Sequence, residues 1–222
     1  MEKKIVGFTG AGGTGKSTLA NAFCGQYNFL MVPSIVRETS KEYGITAEAD
    51  IYRLSAEDRL HYQLALFDKF EQHISNHAQT LKESTYDGLV FDRTLADHFA
   101  YILYYSGTHV SKELLDKLQR RVMMNLGLFT NVFYFNYPPK FMVPADGYRY
   151  TDPAKETIID SIVYREFHRF RDTFLEENEG FKFRHMIDGD VIDRLAYTDT
   201  MVKYERVVFP PSKGEFNILS RI

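Results

Sequence analysis

Short apolar runs alternate along the chain with longer segments in which apolar residues recur every three or four positions. The runs at 4–9, 29–32, 88–91, 131–136 and 184–187 consist mostly of apolar, β-branched or aromatic residues and predict five strands. The longer periodicity predicts helices at 17–27, along the stripe from Leu60 to Leu81, at 95–105, after Ser111, from Asp152-Pro153 onward and at 191–204. Strands that alternate with helices indicate a parallel sheet covered on both faces.

Composition limits the kinds of protein that this chain can be. Its 222 residues carry a net charge of −3, so no overall field favours long nucleic acid or an anionic membrane. The single cysteine, Cys24, excludes an intrachain disulfide, and no run approaches the ~20 apolar residues of a membrane span. We expect a cytoplasmic protein with one domain at 1–206, a lid at about 138–155 and a C-terminal tail at 207–222.

A phosphate-binding loop is predicted between the first strand and the first helix. The motif G-x-x-x-x-G-K-[ST] is matched at every fixed position and is followed by Thr18; its residues are Gly10, Ala11, Gly12, Gly13, Thr14, Gly15, Lys16 and Ser17. Glycines let backbone N–H groups wrap the phosphates of ATP, and the helix N-terminus adds a partial positive charge. Lys16 is expected to reach the β- and γ-phosphates, and the Ser17 hydroxyl is expected to ligate Mg²⁺.

An acidic residue and an arginine follow the third predicted strand. Phosphoryl transfer needs a second acidic group near the metal, and Asp92 is placed for that role at the carboxyl end of a strand. Arg93 can hold a phosphate or carboxylate with two parallel donors. The alternative for Asp92 is a helix N-cap, because a helix is predicted directly after it. Asp97 and His98, one turn later, are weaker candidates.

Two further groups of charged residues follow strands. Glu38, beside Arg37 after the second strand, could accept the proton of an acceptor hydroxyl or orient that hydroxyl; a solvated charge pair is the alternative. The segment D-G-Y-R at 146–149 suggests a lid that closes over ATP, with Arg149 neutralising charge on the transferred group; a surface loop is the alternative.

The order of these motifs resembles that of the P-loop nucleoside and nucleotide kinases. The resemblance rests on F-T-G-A-G-G-T-G-K-S-T-L at 8–19, R-E at 37–38, Gln63 and Leu66 in the long helix, F-D-R-T at 91–94 and D-G-Y-R at 146–149. It is closest to the ribosylnicotinamide kinase domain of NadR and extends to thymidylate and deoxynucleoside kinases. It spans roughly residues 4–205, and only the phosphate loop is highly specific.

The resemblance implies an α/β P-loop NTPase fold, a three-layer sandwich around a five-stranded parallel sheet of order 2-3-1-4-5. It also implies that the phosphate loop and lid hold ATP and that an acceptor binds between the second and third strands. Lys16 and Ser17 are then assigned to phosphate and metal, Asp92 to the metal or hydroxyl, and Arg93 to the acceptor. The family pattern has an acidic residue where this chain has Ser34, so the identity of the base stays open.

The function predicted from the sequence is an ATP-dependent kinase that phosphorylates a small nucleoside or nucleotide. One alternative is a regulatory ATPase that acts on a protein partner, and another is a kinase acting on a hydroxyl of nucleic acid. Tyrosines at 101, 104 and 105 could stack on a base or belong to the core. A homodimer also stays open. Basic residues could form a nucleic-acid track but are more typical of solvated helix faces: Arg120, Arg121, Arg165, His168, Arg169 and Arg171.

Overall fold

A five-stranded parallel sheet forms the centre of the molecule. The computed structural model of the protein describes residues 3–137, 152–176 and 182–203. Within these ranges the strands are β1 (Lys4–Thr9), β2 (Phe29–Val32), β3 (Gly88–Asp92), β4 (Asn131–Tyr134) and β5 (Phe183–His185). Neighbouring strands are parallel and follow the order β2-β3-β1-β4-β5, which confirms the predicted sheet.

Helices occupy the intervals between the strands. They are α1 (Lys16–Gln26), α2 (Val36–Glu42), α3 (Glu48–Arg53), α4 (Ala56–Leu81), α5 (Leu95–Ser106), α6 (Lys112–Leu126), α7 (Pro153–Glu176) and α8 (Val191–Lys203), with a 3-10 turn at Gly107–His109. The short helices α2 and α3 were not predicted. In the described ranges, no helix combines the length and the apolar character needed to cross a membrane.

Successive side chains of the central strands enter two different hydrophobic clusters. Ile5 of β1 and Leu89 of β3 pack with residues of α4, α5, α6 and α7, whereas their neighbours Val6 and Val90 pack with α1 and α8. Strand side chains alternate between faces, so a strand that is apolar at consecutive positions must be covered on both sides. The predicted three-layer arrangement is therefore confirmed.

The strand register brings the ends of β1 and β3 to the same edge of the sheet. Phe8 pairs with Asp92, so the loop after β1 and the residues after β3 leave the sheet side by side. Ligands of open α/β sheets bind beyond this carboxyl edge. Most of the lid predicted at 138–155 and the whole tail at 207–222 lie outside the described residues.

The two neighbouring isoleucines of α7 test which face of this helix supports the core. Ile159 is fully buried, whereas Ile158 is 50% exposed. We expect Ile159→Ala to lower the free energy of unfolding by about 2–4 kcal/mol, since it leaves a cavity in the core. The matched change Ile158→Ala should cost no more than about 0.5 kcal/mol. Chemical denaturation measures both, and equal losses would contradict the packing of α7.

Candidate active site

The phosphate loop, residues 10–17, leaves β1 through a turn that only glycine fits. Gly10 has φ +134, and a Cβ atom there would lie 2.5 Å from the carbonyl oxygen of Phe135. Gly15, with φ +90, is the N-cap of α1, so a second residue of positive φ ends the loop where the helix begins. Glycine adopts such φ values without the steric cost that a side chain brings. The glycines of the motif thus fix the path of the loop.

Asp97 connects the start of this loop to the start of α5. Its side chain is fully buried. One carboxylate oxygen accepts the Gly10 N–H at 2.9 Å, and the other accepts the Thr94 N–H at 2.7 Å and the Thr94 hydroxyl at 3.1 Å. From the sequence alone Asp97 is a weak site candidate, whereas in the structure it holds the start of the loop in position.

Ser17 and Asp92 meet at the carboxyl edge of the sheet. The Ser17 hydroxyl donates to Asp92 Oδ2 at 2.5 Å. Thr94 is the N-cap residue of α5, so Asp92 does not cap that helix. A hydroxyl beside a carboxylate oxygen is a donor set that suits Mg²⁺, which prefers hard oxygen ligands. These two side chains therefore fit the metal that a P-loop nucleotide brings.

The Lys16 side chain folds back onto the earlier residues of the phosphate loop. Its ammonium donates to the carbonyl oxygens of Gly10 and Ala11 at 2.9 and 2.5 Å, and to the Thr14 hydroxyl at 3.0 Å. From α8, the Arg194 guanidinium donates to the Thr14 carbonyl at 3.1 Å. No sequence motif marks this contact of Arg194, because the contact depends on how α8 packs.

Arg93 is a non-glycine residue with a positive φ among the described residues, at +131. A side chain in this conformation carries backbone strain, which concentrates at functional sites. Its guanidinium lies 3.7 Å from Asp97 and 5.4 Å from the centre of the Tyr101 ring. Burial lowers the pKa of Arg93, but the charges of Asp97 and Asp92 and the Tyr101 phenol more than offset it. Its Nη1 is buried without a hydrogen-bond partner among the described residues.

His98 is buried beside Arg93. Its ring packs on Phe70 with centroids 4.3 Å apart, and its Nε2 has no hydrogen-bond partner among the described residues. Burial lowers the pKa of His98 to about 3, and the positive charge of Arg93 adds to the effect. The imidazole is therefore neutral at physiological pH.

A cavity of about 560 Å³ joins the phosphate loop to a pocket under α3, α4 and α5. The loop residues Gly12–Thr18 line one end. The other end is mostly apolar and aromatic, with Met31, Ile51, Tyr62, Leu66, Tyr101 and Tyr105, and also presents Ser34, Arg37, Gln63, Asp92, Arg93 and His98. We call these the phosphate end and the acceptor end.

Three charged residues that the sequence did not single out lie between the two ends. Glu156 accepts the Gly12 N–H at 2.7 Å, and Lys155 lies 3.0 Å from the same carboxylate. Lys155 also forms an ion pair with Glu48, which accepts the Tyr105 hydroxyl at 2.6 Å. For Lys155 and Glu156, the sequence signal that could have found them is the Asp152-Pro153 helix start, which puts both residues in the first turn of α7, at the end of the predicted lid. No such signal marks Glu48.

The remaining predicted residues are not all brought to the cavity. Glu38 lies exposed on α2 and is not among the lining residues, although its neighbour Arg37 is. Gly10 and Ala11 are buried at the start of the loop and are not among the lining residues. Arg149 lies outside the described residues.

The low pKa of His98 gives the protein a specific pH dependence. His98 binds a proton only near pH 3 in the folded protein but near pH 6.5 when unfolded, so unfolding takes up a proton as the pH falls below about 6.5. From pH 7.5 to 5, this should lower the free energy of unfolding by on the order of 2 kcal/mol. In His98→Gln this contribution is absent, so its free energy of unfolding should fall by that amount less than the wild type's between pH 7.5 and pH 5. Denaturation at both pH values measures the difference. His109→Gln, at an exposed histidine, is the control, and an unchanged slope in His98→Gln would contradict the assignment.

Solved structures of nucleoside and nucleotide kinases resemble this fold. The NadR protein in complex with NR matches with a TM-score of 0.54 and 16% identity over 95% of this chain and 54% of its own. Deoxyadenosine kinase from M. mycoides with bound dCTP matches with a TM-score of 0.57 and 13% identity, over 90% of this chain and 98% of its own. Thymidylate kinase from Ehrlichia chaffeensis matches with a TM-score of 0.53 and 13% identity, over 92% of this chain and 100% of its own. The chain thus spans about half the length of NadR.

At these identities the likeness shows the fold, which is that of the P-loop nucleoside and nucleotide kinases. No curated protein matches the chain in sequence. A family model described as an AAA domain matches residues 5–184, which include the phosphate loop, Asp92, Arg93 and the first turn of α7. The chain belongs to this AAA domain family.

Proposed function

We propose that the protein is an ATP-dependent kinase that transfers the γ-phosphoryl group to a hydroxyl of a small nucleoside-like or nucleotide-like acceptor. The observation that carries this proposal is the continuous cavity that runs from Gly12–Thr18 past Asp92 and Arg93 into an aromatic pocket. A nucleotide phosphate at one end and an acceptor at the other would meet beside Asp92. Positioning of the two reactants is a large part of how proteins catalyse phosphoryl transfer.

In the proposed step, the acceptor oxygen forms a bond to the γ-phosphorus, and the bond from that phosphorus to the β–γ bridging oxygen breaks. The electron pair leaves with ADP, and the acceptor hydroxyl gives up its proton to a carboxylate. Asp92 lines the cavity and Glu38 does not, so Asp92 is the better supported base. Ser17 and Asp92 would also hold Mg²⁺, which when bound neutralises charge on the phosphate oxygens.

The lining of the acceptor end supports a flat, aromatic acceptor. Three tyrosines face the cavity at positions 62, 101 and 105, and Gln63 adds an amide that can donate and accept. Arg93 Nη1, which makes no hydrogen bond to the described residues, can donate to an acceptor oxygen. The solved structures point to the same chemical class, because NadR is bound to NR and the deoxyadenosine kinase to dCTP. A NadR complex with AMP-PNP supports ATP as the donor.

The described basic residues give little support to the nucleic-acid alternative. Arg121 pairs with Asp68 and Glu71, and other arginines of the suggested track are paired as well, Arg165 and Arg169 with Glu166 and Arg171 with Asp172. Each pair places a carboxylate beside the cation, so these faces offer little net positive charge to a phosphate backbone.

Acceptor-dependent ADP release tests the proposed reaction. Nucleosides, nucleoside monophosphates, nicotinamide riboside and oligonucleotides are screened with ATP and Mg²⁺, and ADP is measured. A suitable small acceptor should accelerate ADP release at least several-fold, because water is a poorly positioned nucleophile. Lys16→Met, which loses the cation of the phosphate loop, should abolish the acceleration. Stimulation by a protein partner alone would instead favour the regulatory ATPase.

Asp92→Asn tests the assignment of the base. The change keeps the shape of the side chain and removes its charge, so we expect kcat to fall by roughly 100-fold or more. Because Thr94 and Asp97 form the start of α5, the unfolding midpoint should change little. Asp116→Asn, on the exposed surface of α6, is the matched control. Wild-type turnover in Asp92→Asn would move the search for the base to Glu38.

A further inference from the structure

The carboxylate of Glu156 is held by the phosphate loop as an anion. Its Oε2 accepts the Gly12 N–H at 2.7 Å, and a Cβ atom at Gly12 would lie 2.9 Å from the same oxygen. The N–H groups of such a loop are the groups that bind phosphate oxygens. The carboxylate therefore stands where an oxygen of a bound nucleotide phosphate would lie.

Lys155 already contacts this anion from the other side. Its ammonium lies 3.0 Å from Glu156 Oε1, so one carboxylate links the Gly12 N–H to the Lys155 cation. Lys155 is only 4% exposed. Burial lowers its pKa, but the contacts with Glu48 and Glu156 raise it by more, so the ammonium stays charged.

Contacts on the acceptor side hold Lys155 in place. Its second partner, Glu48 of α3, is buried and accepts the hydroxyl of Tyr105 from α5. Glu48, Tyr105 and Lys155 all line the cavity. Lys155 thus bridges a group bound to the phosphate loop and a group of the acceptor end, which is the region that a transferred phosphoryl group must cross.

We propose that Lys155 is a catalytic residue that binds the terminal phosphate of the nucleotide, taking a phosphate oxygen in place of the Glu156 carboxylate. The inference rests on the proposed function and adds a residue to it. The charge that develops on the γ-phosphate oxygens needs cations that are already positioned, and a buried ammonium fixed by Glu48 meets that need. Glu156 must leave the Gly12 N–H when a phosphate binds there, since one N–H cannot serve both.

Nucleotide binding separates this role from a structural one. For Lys155→Met we expect the Kd of AMP-PNP to rise at least 10-fold and the Kd of ADP to change less than about 3-fold, because only AMP-PNP carries the terminal phosphate. Titration calorimetry with Mg²⁺ measures both. Lys112→Met, at an exposed lysine of α6, is the control and should bind both nucleotides as the wild type does. Equal losses for the two nucleotides would overturn the proposal.

A second variant removes the effect of an unpaired buried charge. Lys155→Met leaves Glu48 without its cation, which can destabilise the fold. In Lys155→Met/Glu48→Gln the unfolding midpoint should recover towards the wild-type value, while the selective loss of AMP-PNP binding should persist. Recovery of AMP-PNP binding together with stability would show a structural role only. A wild-type protein that binds neither nucleotide would refute the proposed function, whereas binding of both without selectivity in the variants refutes only the role of Lys155.

Discussion

The position of the phosphate loop depends on one buried carboxylate, that of Asp97. It accepts the N–H of Gly10, where β1 turns into the loop, and both the N–H and hydroxyl of Thr94, where α5 begins. Asp92 and Arg93 immediately precede Thr94, so the same carboxylate fixes the candidate catalytic pair relative to the loop. Because these groups are buried, each of these donors would cost stability if left unpaired, which makes the arrangement well defined.

Two further ion pairs lie at the cavity. Arg93 faces Asp97, four residues further along the chain, whereas Lys155 of α7 pairs with Glu48 of α3, which is distant in sequence. A buried ion pair contributes little net stability but strongly penalises the loss of one partner. These pairs therefore act mainly to specify the geometry of the cavity. A polyanion that binds to one of these cations must replace the carboxylate that the cation contacts.

Local patterns predicted most elements because their physical causes are local. Each strand is a short apolar run, and a run that is apolar at consecutive positions must be buried on both faces. Boundaries were less accurate where the cause is a cap or a tertiary contact. The long helix begins at Ala56, before its stripe, because the Ser55 side chain accepts the Asp58 N–H. The helices α2 and α3 carry no long apolar stripe, and they are too short for an apolar periodicity to be recognised in the sequence.

The sequence by itself determined the phosphate loop and the parallel sheet, because a motif and a series of short apolar runs are local features. It also determined that Asp92 lies near Ser17, because the residues that follow parallel strands meet at the carboxyl edge of the sheet. The tertiary structure decided which charges share the cavity. Glu48 and Lys155 are separated by more than a hundred positions and carry no motif, so nothing in the sequence shows that they meet. Their contact depends on the packing that brings α3 and α7 together, and packing of that kind is a property of the whole fold.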